Sequence, residues 1–200
     1  GRRLRTPRST KRNGSNPFIA RWGEGRRAGV KFSIVIPCYN EQDALPERFE
    51  RPEAVMTEMK HDYEYIFVDD GSTDRTIAVL RGLRARSPRV GVVSFRRNYG
   101  KSAALNEGFR AASGDLIVTI DADLQDDPAE IPNLLKRIEA GADLVSGWKT
   151  NRQDTPSKTL PSRVFNRVTS AVTRVKLHDF NCGVKMYRRE VADAITVYGG

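Results

Sequence analysis

Four aspartates, Asp121, Asp123, Asp126 and Asp127, fall within seven residues at the end of an apolar stretch, IVTID at 117–121. Aspartate is disfavoured within strands, and a carboxylate at a buried edge must be paired or solvated. Asp121 and Asp123 stand at i and i+2 beyond a strand end, where two carboxylates can converge on one hard cation. Gln125 adds a neutral oxygen two residues further on. A divalent ion held this way offsets the charge of a diphosphate leaving a sugar or nucleotide, whereas bare carboxylates repel phosphate. Asp126 and Asp127 suit a plainer role, just before the helix expected after Pro128, where negative charge is favoured.

Three more apolar runs end in polar clusters: PCYNE at 37–41, VDDGSTD at 68–74 and RRNYGKS at 96–102. Each is weak alone, and DDGSTD is also what a turn with a helix cap looks like. YGKS invites a phosphate-loop reading, but G-x-x-x-x-G-K-[ST] needs glycine at position 95, where Phe95 stands. Asn98 and Lys101 remain candidates to face phosphate at a helix N-terminus. No G-x-G-x-x-G follows the first strand, which disfavours a dinucleotide fold.

The elements that must position these clusters follow from periodicity. Strands are expected at 32–37, 63–70, 90–95, 115–121, 142–148 and 183–189. Helices are expected at 41–60, 72–86, about 101–112, from 128 to about 140, and about 158–175. Ser72 or Thr73 is the expected N-cap of the second helix. Pro46 and Pro52 must interrupt the first or sit in first turns. Apolar strands alternating with helices predict an α/β sandwich, a mainly parallel central sheet with helices on both faces. Ligands in such sheets bind beyond the carboxyl ends of the strands, where all four clusters lie.

Two hundred residues at 38% hydrophobic suffice for one domain with a core. The net charge of +9 misleads, because nine Arg/Lys against Glu24 alone leave +8 on residues 1–30 and +1 on the rest. Residues 1–30 lack apolar periodicity and read as a disordered basic tail, loosely similar in composition to a transit peptide; residues 31–200 form the expected domain. Cys38 and Cys182 have no CxxC spacing and His61 and His178 are too few for a histidine metal centre, so the chain reads as reduced and zinc-free. No apolar run reaches the roughly 18 residues of a membrane span. Between 149 and 176 seven cations face one acid, Asp154, and Arg163 and Arg167 are i, i+4 neighbours. That one-signed segment, with Lys149 and Arg152, suits an anionic membrane surface and a lipid phosphate.

SIVIPCYNE, YIFVDDGSTDRT, RRNYGKSAALNEGF, GDLIVTIDADLQDDPAEIP, DLVSGW and HDFNCGVKMYRREV occur in an order that resembles family-2 glycosyltransferases of the GT-A fold. DADLQDDP together with DFNCG is similar to the polyprenyl-phosphate branch, that of dolichyl-phosphate mannose synthases and bactoprenol glucosyltransferases. The resemblance covers about 32–200. It implies a hexosyl transfer with inversion from a UDP- or GDP-sugar to a polyprenyl phosphate, at the cytoplasmic face of a membrane. It also implies that Pro37, Tyr39, Glu41, Val68 and Asp70 hold the nucleotide, with Asp70 on the base. Asp121, Asp123 and Gln125 would bind Mg²⁺ or Mn²⁺, and Asp179 is the candidate for a remaining acid/base or orienting role.

Relatives of that branch continue beyond the YGG at 198–200, so the chain, which opens at Gly1 without an initiator methionine, is expected to be C-terminally truncated. The strand at 183–189 should then leave Val184 and Met186 partly open to water and the domain poorly stable. Rival expectations are a saccharide or protein acceptor and, in another class, a basic nucleic-acid-binding module through residues 1–30. No nucleic-acid partner is expected on the first reading.

Overall fold

The computed structural model describes residues 29–121, 127–147, 184–195 and 197. A six-stranded sheet runs in the order β3-β2-β1-β4-β6-β5. Strand β1 (Lys31–Cys38) pairs in parallel with β2 (Asp62–Asp69) on one side and β4 (Leu116–Thr119) on the other. β2 pairs in parallel with β3 (Val90–Ser94). β6 (Lys185–Arg188) is antiparallel to both β4 and β5 (Leu144–Ser146). The mainly parallel α/β sheet expected from the alternation is therefore what forms.

The apolar runs lack a two-residue alternation because the central strands are buried on both faces. On one face Phe32, Ile34 and Ile36 pack with helices α1 (Leu45–Met59), α2 (Thr76–Arg86) and α4 (Ile131–Glu139). On the other, Val35, Val68 and Ile117 meet α3 (Lys101–Ala111) and α5 (Arg189–Ala194). A Cβ on Gly108 of α3 would stand 2.3 Å from Val35 Cγ1, so only glycine permits this helix its close approach. Adjacent arginines tie two helix ends to the sheet. Arg188 donates to the carbonyls of Ile138, in the last turn of α4, and Ala142, just beyond it, and Arg189 to those of Ala112 and Gly114 after α3. Cations there satisfy carbonyls that have no partner within the helix.

Several local expectations are corrected. The second helix starts at Thr76, not at 72, and neither Ser72 nor Thr73 caps it. The Asp74 carboxylate accepts from the Thr76 N–H instead, while the Ser72 hydroxyl and the Thr73 N–H bond to Asn40. The first helix starts at Leu45 with Pro46 in its first turn, but Pro52 lies inside it without ending it. The Pro52 ring is buried in the core face, which offsets the hydrogen bond it removes. The strand expected at 142–148 shortens to Leu144–Ser146. Val184 and Met186 are not open to water: both are buried in the core cluster that includes Ile131, Leu134, Leu135 and Ile138 of α4. Asp127 does cap the short 3-10 turn Pro128–Glu130, accepting from the Ala129 N–H at 3.0 Å. The expected tail and the expected basic helix at 158–175 lie outside the described residues, apart from 29 and 30. Among the described residues no helix is long and apolar enough to cross a membrane.

Candidate active site

The chain runs β1, β2, β3 towards one edge and then returns to place β4 on the other side of β1. Beyond the carboxyl ends of β1 and β4, at this switch point, lies a cleft of about 360 Å³. Pro37, Cys38, Tyr39 and Glu41 line it from the end of β1, Asp70 from β2, Asn98, Gly100, Lys101 and Ala104 from the start of α3, and Asp121 from β4. The fold thus gathers seven of the expected residues: Pro37, Tyr39, Glu41, Asp70, Asn98, Lys101 and Asp121.

The loops that carry them are locked to one another. Asn40 takes a left-handed conformation (φ 55°), which asparagine tolerates. Its N–H donates to Ser72 Oγ at 2.9 Å and its Oδ1 accepts from the Thr73 N–H at 2.8 Å. The Glu41 N–H donates to Thr76 Oγ1 at 2.8 Å. Asp70 is almost fully buried, and its carboxylate accepts the N–H groups of Tyr99 (2.7 Å) and Gly100 (2.9 Å). This carboxylate therefore pins the loop that carries Asn98 and Lys101. Gly71 (φ +71°) lets that loop close, since a Cβ there would lie 2.2 Å from the Arg97 backbone carbon.

At the bottom of the cleft the Lys101 ammonium pairs with the Asp121 carboxylate, joining the start of α3 to the end of β4. The Glu41 carboxylate is held at 3.1 Å by Arg48 of α1, a contact that sequence reasoning missed. Its signal was legible, a lone arginine on the apolar stripe of a helix. Tyr39 leaves 44% of its surface exposed, an aromatic face a nucleobase can use. Cys38, a free cysteine on the cleft floor, donates to the Val68 carbonyl, and burial with the nearby Asp69 charge pushes its thiol up to about 12. It stays protonated and is no nucleophile. Val68 is fully buried in the core, and its side chain does not line the cleft.

Asp121 offers a hard carboxylate oxygen at the cleft bottom, the donor type that Mg²⁺ and Mn²⁺ take. Among the described residues no group of three or more His, Cys, Asp or Glu converges on a metal position. Asp123, Gln125 and Asp179, and the basic residues Lys149, Arg152, Arg163 and Arg167, lie outside the described residues.

This cleft, at the switch point of a parallel sheet, belongs to residues that a single family description covers: Glycosyl transferase family 2 matches residues 33–196. The chain belongs to glycosyl transferase family 2. Among its curated family relatives is an undecaprenyl-phosphate 4-deoxy-4-formamido-L-arabinose transferase of Pseudomonas fluorescens. It is 42% identical over 165 residues, covering 82% of this chain and 48% of the relative. The enzyme of the same name from Pseudomonas aeruginosa is 42% identical over 164 residues, with the same coverage of 82% and 48%. The chain spans about half the length of the curated relatives it matches. Of solved structures, glucosyl-3-phosphoglycerate synthase from Mycobacterium tuberculosis, in complex with UDP, superposes with a TM-score of 0.60 at 25% identity over 81% of this chain and 58% of that one. A mannosyltransferase from Pyrobaculum calidifontis, in complex with GDP-Man and Mn²⁺, shares the fold with a TM-score of 0.60 at 21% identity, over 91% and 53% of the two chains. The GT-A fold expected for this family 2 chain is the fold observed.

Proposed function

We propose that this chain carries the donor site of an inverting, metal-dependent glycosyltransferase that moves a sugar from a nucleotide diphosphate to a polyprenyl phosphate. The observation that carries this is the switch-point cleft, where Asp121, Lys101, Glu41 and Tyr39 meet in a family 2 chain. The lipid acceptor is supported by the 42% identity to enzymes named for transfer to undecaprenyl phosphate.

On this reading Pro37, Tyr39 and Glu41 hold the nucleoside, while Asp70 serves it indirectly by fastening the loop that carries Asn98 and Lys101, and Val68 by packing beneath the end of the strand. Asn98 and Lys101, at the start of α3, face the diphosphate, and the Lys101 ammonium already reaches the cleft bottom. Asp121, with Asp123 and Gln125 beyond it, would hold Mg²⁺ or Mn²⁺, which supplies charge neutralisation to the departing diphosphate. An acceptor phosphate oxygen attacks the anomeric carbon in line, and the carbon–oxygen bond to the diphosphate breaks with its electron pair leaving on the nucleotide. The configuration inverts. A phosphate monoester is already anionic near neutral pH, so the attack needs no strong general base, and Asp179 serves to orient. Lys149, Arg152, Arg163 and Arg167 suit the acceptor phosphate and an anionic membrane surface at the cytoplasmic face.

The test is to offer the protein labelled UDP- and GDP-sugars with Mn²⁺ and either undecaprenyl phosphate or a free saccharide. A lipid-linked product of inverted anomeric configuration, absent with EDTA, is expected. Label on the saccharide alone would replace the lipid by a sugar acceptor, and label on neither with intact donor binding would overturn the transfer.

A further inference from the structure

Helix α1 turns four residues inward, Leu45, Arg48, Pro52 and Met56, at the spacing of one buried helical stripe. Three are apolar and the fourth is an arginine whose side chain is only 6% exposed. Among the described residues one of its three guanidinium nitrogens is engaged: Nη2 holds Glu41 Oε2 at 3.1 Å, while Nε and Nη1 are buried without a partner there. Arg48 also lines a small cavity of about 20 Å³ with Ile36, Pro52, Ile120 and Asp121. Asp121 is a wall common to this cavity and to the donor cleft, so the guanidinium lies behind the carboxylates that face the cleft.

This is a poor choice for the fold. Buried donors without partners are destabilising. A leucine or methionine at position 48 would complete the stripe and meet Ile36, Pro52 and Ile120 with no buried donor of its own. Departures from local rules of this kind concentrate at functional sites. Among the described residues the ion pair that the guanidinium makes is with Glu41, whose carboxylate it fixes on the cleft wall.

We propose that Arg48 is a positioning residue of the donor site, retained at the expense of stability because its Nη2 holds the Glu41 carboxylate in place for the nucleotide. The inference rests on reading the cleft as a nucleotide site, and its test is separable from sugar transfer. Calorimetry of UDP and GDP binding with Mn²⁺ is run on the full chain and on Arg48→Leu, Arg48→Lys, Glu41→Gln and the Arg48→Leu/Glu41→Gln double variant, with thermal melts beside it. Arg48→Leu is expected to weaken nucleotide binding about tenfold, the scale seen when an outer partner of a ligating group is lost. Its melting temperature should change little, because the Glu41 side chain it leaves behind is 30% exposed and can turn to water. Arg48→Lys keeps the one N–H···O contact and should recover most of the affinity, and the double variant should bind no more weakly than Glu41→Gln. Wild-type affinity in Arg48→Leu, additive losses in the double variant, or a lowered melting temperature that tracks the affinity loss would each overturn the proposal. Arg48-dependent nucleotide binding by a protein that glycosylates no polyprenyl phosphate would leave this inference standing and remove the lipid acceptor. Lipid glycosylation with wild-type affinity in Arg48→Leu would do the reverse.

Discussion

The two ends of the sheet treat their charges differently. At the amino end the Glu64 carboxylate accepts from Ser33 Oγ (2.6 Å), from the Ser113 N–H (2.7 Å) and hydroxyl (2.8 Å), and from Lys31 Nζ (3.2 Å). Arg89 lies over the Tyr63 ring and donates to its hydroxyl. At the carboxyl end Glu41, Lys101 and Asp121 line an open cleft, each with one face towards it. Volume does not separate the two ends, since the groove lined by Lys31, Glu64, Arg84 and Arg89 holds about 590 Å³ against about 360 Å³ for the cleft. What separates them is where the polar groups find partners. At the amino end they close on one another and fasten strands to loops. At the carboxyl end the loops are fastened by a second set of groups, Asn40, Asp69, Asp70 and Asp74, which leaves the first set to face a ligand.

The sharpest way to break this contrast is Asp121→Ala. Mn²⁺-dependent nucleotide affinity should fall about 100-fold or more, because one carboxylate of the expected metal set is gone. The melting temperature should move little by comparison, since the pair with Lys101, one of the contacts of Asp121, is more than half exposed on the lysine side and screened by solvent. Titration calorimetry and a melt decide it, and unchanged affinity would move the metal elsewhere.

Gly71→Ala should show that the fastening set is itself required. The added Cβ meets the Arg97 backbone in a left-handed conformation, so a loss of about 1–3 kcal/mol in urea unfolding is expected, with weaker nucleotide binding as Asn98 and Lys101 shift. Wild-type values for both would mean that the two loops are not mechanically coupled.

Glu64→Gln has the smallest expected effect and acts on stability alone, by about 1–2 kcal/mol at pH 7, with nucleotide affinity unchanged. Burial pushes this carboxyl up, but hydrogen bonds from Ser33, Ser113 and Lys31 outweigh it and hold the group below its ordinary 4.5. A depressed folded-state value contributes stability above pH 4.5 that is lost as pH falls through the lower folded value. The gap in melting temperature between wild type and Glu64→Gln should therefore shrink on acidification below about pH 4.5. A gap independent of pH would assign the effect to shape rather than charge.

Strand positions and the polar clusters at their ends were legible because both are local. An apolar run of six residues between turn formers reads as a strand wherever it sits, and the switch-point rule then points to its carboxyl end. Seven expected residues do line one cleft for that reason. Capping was misread at Ser72 and Thr73, whose hydrogen-bonding groups go to Asn40, a residue 32–33 positions away that no local pattern could supply. The exposure expected for Val184 and Met186 was drawn from elements that relatives carry beyond 200, whereas residues 131–138, some fifty positions earlier, share their core cluster, which no local pattern shows.

The sequence by itself determined the alternation of elements, the family, and which residue types gather at the ends of the strands, since these depend on periodicity and short motifs. Only the tertiary structure decided which of those polar groups are already occupied. Asp70 and Asp121 are both aspartates at strand ends, yet one closes on two backbone N–H groups and the other meets a lysine across an open cleft. Arg48 likewise stands out in the sequence only as a charge on an apolar stripe, and the fold alone supplies its partner, Glu41. A polar atom's role is set by the partners within about 3 Å of it, and chain distance does not predict them.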